Sequence, residues 1–129
     1  MPIGFGDFLQ RLRDERKLSF RELGQLSEVD HAYIHRLETG EKEAPSEDVV
    51  NRLIRVLKPD ERKARILRFL VSKTVDEDLI AEVLDDPRVS IDDFESAAQV
   101  RSRGRPSGRE GWRRVLRQIR TIREQLERG

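Results

Sequence analysis

No cysteine occurs among the 129 residues, which removes disulfide scaffolds, thiolate zinc sites and cysteine nucleophiles together. Aromatic residues are only 5% of the chain, with one Trp and one Tyr, so a core must rest on Leu, Ile and Val. No apolar run approaches the ~20 residues of a membrane span, and the first residues lack the apolar core of a signal peptide. A cytoplasmic protein is expected. What the chain has in abundance is charge, 40% of all residues, and a surface that is heavily solvated. Its length suits one small helical domain with appendages, since a single core needs about 60 to 100 residues.

The most informative stretch is 19 to 40, SFRELGQLSEVDHAYIHRLETG. Ser19 is placed to cap a first helix, in which Leu23 and Leu26 lie three apart on the face expected to be buried. Val29 continues the core into a turn. Asp30 can cap a second helix, where Ile34 and Leu37 point inward and His31, Ala32, His35 and Arg36 point outward. Gly40 suits a C-terminal cap with positive φ, and Lys42 to Pro45 form a loop. Two short helices with a tight turn make a helix-turn-helix, whose exposed second helix fits a DNA major groove.

The order Leu12-Arg13, Leu18-Ser19, Leu23-Gly24, Val29, Ile34, Leu37-Glu38, Gly40 and Pro45 resembles the Xre (lambda/Cro-type repressor) family of bacterial and phage regulators, over about residues 4 to 72. The resemblance implies an all-α, five-helix DNA-binding domain, a partly buried ion pair between Arg13 and Glu38, and His31, Ala32 and Arg36 facing base edges. It further implies backbone contacts from Tyr33 and Thr39, to which Ser19, Phe20, His35 and Lys42 are added as candidates. Two positions depart from the family pattern. Phe20 stands where Gln is frequent, so the resemblance does not carry over that Gln's phosphate contact, and the ring either packs inward or offers an apolar edge to a sugar or thymine methyl. Gly24 stands where Ala is commoner, at a cost of roughly 1 kcal/mol in a helix unless the two helices approach closely.

The net charge of +1 conceals segregation. Residues 1 to 75 hold fifteen basic and thirteen acidic side chains, residues 76 to 95 one and nine, and residues 96 to 129 ten Arg and three Glu. The basic tail is a second source of phosphate contacts, and the acidic block offers it a counter-surface when DNA is absent. Three divisions follow: a DNA-binding domain over 1–72, an acidic helical extension over 73–100, and an Arg-rich linker with a C-terminal amphipathic helix over 101–129.

Within the first division, helices are expected at about 4 to 16, with Phe5, Phe8, Leu9 and Leu12 on one face, at 47 to 57 after Ser46, and at 60 to 72 after Pro59. The apolar end of the last, Ile66, Leu67, Phe69 and Leu70, either covers the core or forms a dimer contact. Shorter helices are expected at 76–85 and 90–100, and no segment alternates as a strand would. In 101–109, RSRGRPSGR, Arg103-Gly104-Arg105-Pro106 resembles an AT-hook core, leaving minor-groove insertion of Arg103 and Arg105 and a flexible basic linker as alternatives. From 110 to 128, Trp112, Val115, Ile119, Ile122 and Leu126 take heptad spacing with Leu116 alongside. Such a face must be buried by docking on the first domain, by pairing in a dimer, by a protein partner or by a membrane surface.

Catalysis is not expected. His31 and His35 are spaced i, i+4, but Ala32 occupies the position where a zinc-peptidase helix carries its general-base Glu, and the chain has no third His. No metal, cofactor or phosphate-binding glycine loop is indicated. Together with the resemblance, these features imply a sequence-specific transcription regulator, a repressor acting as a homodimer on an inverted repeat in double-stranded DNA, cytoplasmic and nucleoid-associated. The alternative is an antitoxin whose segment 76–129 wraps a toxin while the first domain autoregulates the operon.

Overall fold

The computed structural model of the protein describes residues 2–42, 44–100, 106 and 108–128. The fold is all-α, 72% helical with eight helices among the described residues. The chain divides into two units, one from Ile3 to Thr74 and one that takes Pro2 and the chain from Val75 onward. The acidic extension and the C-terminal helix, separate in the sequence reading, share the second unit.

The first unit contains α1 (Phe5–Glu15), α2 (Phe20–Ser27), α3 (His31–Thr39), α4 (Glu47–Leu57) and α5 (Glu61–Phe69). Its helices start where side chains can satisfy the orphan N–H groups of a first turn. Ser46 Oγ accepts from Val49 N at 3.2 Å and Asp60 Oδ1 from Lys63 N at 2.8 Å. At the other end of α4, Lys58 turns the chain at φ 47°, and Arg16, the C-cap of α1, donates to the carbonyls of Leu57 (2.7 Å) and Lys58 (2.8 Å). Phe8, Leu9, Leu23, Ile34, Leu53, Leu57, Ile66 and Leu67 are fully buried and make the core. Ile66, Leu67 and Leu70 at the apolar end of α5 are buried and cover the core, while Phe69 is half-buried.

One glycine fixes how α1 meets α3. A Cβ on Gly6 would collide with the Leu37 carbonyl oxygen and lie 2.9 Å from Glu38 Cα, closer than packed atoms approach. The helices touch backbone to backbone there, and no larger residue fits.

The second unit contains α6 (Glu77–Asp85), α7 (Ile91–Ala98) and the 21-residue α8 (Gly108–Arg128). Pro2 joins it through strand β1 (Pro2–Ile3), which pairs with β2 (Val75–Asp76). Two residues per strand are too few to show the alternation that sequence reading looks for. Leu79, Ile80, Val83, Phe94 and Ala97 form the centre, and α8 packs on both α6 and α7, closing it with Trp112 and Leu116.

Candidate nucleic-acid interface

The motif helices are set by local chemistry first. Ser19 Oγ accepts from Glu22 N at 3.1 Å while Glu22 Oε1 accepts from Ser19 N at 3.0 Å, a reciprocal box that starts α2. That backbone hydrogen bond from Ser19, joined by the one to its side chain, holds the Glu22 carboxyl below its ordinary pKa. Glu28 in the left-handed region at φ 60° ends α2, Asp30 Oδ1 accepts from Ala32 N at 2.8 Å to begin α3, and Gly40 at φ 81° ends it.

The angle between the two helices is governed by Gly24. A Cβ there would lie 2.8 Å from the Val29 carbonyl oxygen, 3.0 Å from His31 Cβ and 3.1 Å from His31 N, so the start of α3 rests on the bare backbone of α2. This approach also corrects the expected inner face of α2. Leu26 is 58% exposed, whereas Leu23, Gly24 and Ser27 are buried. In a helix of eight residues the buried arc is narrow, and it centres on the glycine side, which rotates Leu26 to the flank. Ser27 is tolerated inside because its hydroxyl donates to the Leu23 carbonyl at 2.6 Å.

Residues 5–66 match the family model of a helix-turn-helix domain. This stretch is a helix-turn-helix domain of the kind found in Xre-like regulators. A helix-turn-helix domain is a DNA-binding fold, and it points to a DNA-binding regulator. Among curated proteins no match was found.

Within the helix-turn-helix domain, α3 is tied to α1 by a bidentate ion pair. Arg13 Nε and Nη2 donate to Glu38 Oε2 and Oε1 at 2.7 and 2.9 Å, and Nη1 donates to the Leu18 carbonyl at 2.8 Å. Only 4% of the Glu38 side chain is exposed. The hydrogen bond to Glu38 raises the pKa of Arg13 above its already high ordinary value. Phe20 lies directly beside the pair, with the Arg13 guanidinium carbon 4.1 Å from its ring centre and the His35 ring meeting it edge-on at 5.1 Å. The ring is half-buried and therefore shields one face of the guanidinium, a cation–π contact in partly desolvated surroundings.

On the outer side of α3, His31, Ala32 and His35 are exposed and Tyr33 is half-buried. Arg36 is not fully outward: it is half-buried, and its Nε is enclosed with no hydrogen-bond partner among the described residues. Ser19, Phe20, Arg21, His31, Ala32, His35, Arg36 and Glu41 line one open concavity. Arg21 was not singled out by sequence reasoning. Its position one residue into α2, behind a cap, was the available signal. Thr39 is exposed, its hydroxyl donating to the Arg36 carbonyl at 3.2 Å, and Lys42 is exposed just beyond the helix. Arg103 and Arg105 lie outside the described residues. No group of three or more His, Asp or Glu among the described residues is arranged to hold a metal, and none of the described helices is long and apolar enough to cross a membrane.

In the second unit the six apolar residues assigned to a partner separate into two sets. Trp112 and Leu116 are core, 4% and 6% exposed, because α8 docks on α6 and α7, so they are withdrawn as partner contacts. Val115 and Ile119 are half-buried, while Ile122 and Leu126 are 57% and 77% exposed. Charge holds α8 in place as well. The buried Glu82 carboxylate receives Arg109 at 2.6 Å and Arg113 at 3.0 Å, Arg109 also reaches Asp85, and the buried Asp93 receives Arg123 at 3.0 Å. Burial pushes the Glu82 carboxyl up, but Arg113 and Arg109 together outweigh it and its pKa is lowered.

Proposed function

We propose that the protein is a sequence-specific transcription regulator, a repressor that binds an inverted repeat as a homodimer and occludes a promoter. The observation that carries this reading is the outer face of α3. His31, Ala32, His35 and Arg36 share one open concavity with Arg21, on a helix held from behind by Gly6, Gly24 and the Arg13–Glu38 pair. A rigid helix with an uncommitted polar face is what major-groove reading requires. Arg36 and His31 read base edges, and Ala32 supplies an apolar contact. With Nε enclosed, the base contact of Arg36 falls to its terminal nitrogens, a geometry that still spans G O6 and N7 and is worth ~1 to 3 kcal/mol of discrimination. Arg21, Tyr33, Thr39 and Lys42 take the phosphates, and Arg103 and Arg105 add contacts from the linker.

Support for a second copy comes from α8. The apolar strip Val115, Ile119, Ile122 and Leu126 is half-buried to exposed, with uncharged Gln118 and Gln125 on one flank and, on the other, an open groove in which Arg123 lies with Glu127, Asp92 and Asp93, a mixed-charge rim that suits a second α8. The antitoxin reading, in which 76–129 orders around a toxin, is disfavoured by a second unit that already has its own core.

The test is selection of duplexes from a randomised pool with the full-length protein, followed by titration at about 50 and 200 mM salt, where phosphate-driven binding differs most. A two-fold motif with half-sites about 34 Å or a multiple apart, favoured at both salt concentrations, is the expected result. Arg36→Ala should relax preference at one base pair; an equal loss on every sequence would refute its role. No enrichment, with binding abolished at the higher salt, would overturn the reading.

A further inference from the structure

Six of the eight side chains lining the concavity between α2 and α3 are polar or charged; Phe20 and Ala32 are the exceptions. The Phe20 ring thus offers apolar surface within an otherwise polar groove. Phe20 is also held still. One face lies against Arg13, whose three guanidinium nitrogens are all committed to Glu38 and the Leu18 carbonyl, and His35 abuts the ring at an interplanar angle of 79°. What remains is a fixed apolar edge, next to the reading face of α3 and sharing its concavity with the Ala32 methyl. A base edge in the major groove offers one apolar group, the C5-methyl of thymine. A sugar is the competing apolar target, but contact with His35 places the ring beside the outward face of α3, where base edges lie when that helix occupies the groove.

We propose that Phe20 and Ala32 form a receptor for a thymine C5-methyl group, making Phe20 a specificity-determining residue. The proposal rests on the DNA-reading role of α3 given above. Its chemistry is a shape-and-solvation readout: the methyl displaces water from the Phe20 edge, and cytosine, which lacks the methyl, leaves that edge wet. Phe20 therefore converts a position that would hold a phosphate donor into one that reports sequence.

The experiment uses the selected duplex and full-length protein, replacing each thymine of a half-site in turn by deoxyuridine, which deletes only the methyl. Affinity is read by fluorescence anisotropy. One thymine should prove sensitive, with binding about four-fold weaker, the equivalent of one buried methyl group, and the others unaffected. In Phe20→Ala, checked for folding by circular dichroism, thymine and uracil at that position should bind equally. Phe20→Leu, which keeps an apolar group over Arg13, should retain part of the difference. A half-site without thymine, indifference of the wild-type protein to every substitution, or undiminished discrimination by Phe20→Ala would each overturn the proposal while leaving DNA reading intact. Failure to enrich any duplex would instead refute the DNA-reading role and, with it, this inference. The uracil series on the wild-type protein is decisive even if a variant fails to fold.

Discussion

Replacing Gly6 by Ala tests whether the backbone contact between α1 and α3 sets the position of α3. Two terms compete. Helix propensity favours alanine by up to ~1 kcal/mol. Against it, the added methyl would overlap the Leu37 carbonyl oxygen and sit 2.9 Å from both Glu38 Cα and the Glu38 carbonyl oxygen. All three are backbone atoms, so no side chain can rotate away and the helices must separate. Overpacking of this kind costs ~1 to 3 kcal/mol, and separation further loosens Phe5, Phe8 and Leu9 on the same stretch of α1. A net loss of about 2 kcal/mol is expected, which for a domain of this size lowers Tm by roughly 8 to 16 °C. Thermal denaturation of the full-length chain followed by circular dichroism measures it. Gly24→Ala should show a smaller loss, because its nearest contacts are 2.8 to 3.1 Å. A Gly6→Ala protein that melts at or above the wild-type temperature would refute the argument.

Arg13→Ala leaves Glu38, with 4% of its side chain exposed, as an uncompensated buried charge and should cost ~3 to 5 kcal/mol; the Arg13→Met, Glu38→Gln double variant should recover more than 1 kcal/mol of that in denaturant titrations, and strict additivity would show that the pair is not coupled. Leu26→Gln should change stability by no more than about 0.5 kcal/mol, since the side chain is 58% exposed, and a loss above ~2 kcal/mol would restore it to the core. The lowered pKa of Glu82 predicts the acid behaviour of the second unit. A carboxyl depressed on folding contributes stability that is complete above its unfolded value near ~4.3 and is lost as the pH falls through the folded value. Trp112, the one tryptophan of the chain, sits in that unit, so its fluorescence melt should be level from about pH 7 to 5 and fall below pH 4.3. Glu82→Gln should lower the neutral-pH melt by ~1 to 2 kcal/mol, as the arginines rehydrate, and flatten the acid limb. An unchanged acid limb would count against the pairing.

What could be read from the sequence follows from how local each feature is. Ser19, Asp30 and Ser46 announce helix starts because capping is decided within three residues, and Leu23, Ile34 and Leu37 follow from helical spacing. Leu26 could not be resolved that way, since periodicity permits either flank of a short helix and the choice is made by where α3 lands on Gly24. Phe20 illustrates the same limit: both an inward packing and an exposed edge were open, and the ring does some of each, stacked on Arg13 from another helix with its remaining edge in the groove. The opposition of the acidic block and the arginine tail was visible in charge alone. Which acids meet which arginines was not, because Glu82 and Arg109 are separated by 27 positions and are brought together only by the docking of α8.

The two glycine contacts have a consequence for how such a protein changes over time. Gly6 meets the Leu37 carbonyl and the Glu38 backbone, and Gly24 meets the backbone nitrogen and Cβ of His31. All of these partners are backbone atoms except His31 Cβ, which every residue but glycine supplies. Non-glycine substitutions at His31 and Ala32 leave both contacts untouched, so the outer surface of α3 can be rewritten there without moving the helix, whereas a change at His35 also frees the Phe20 ring it abuts.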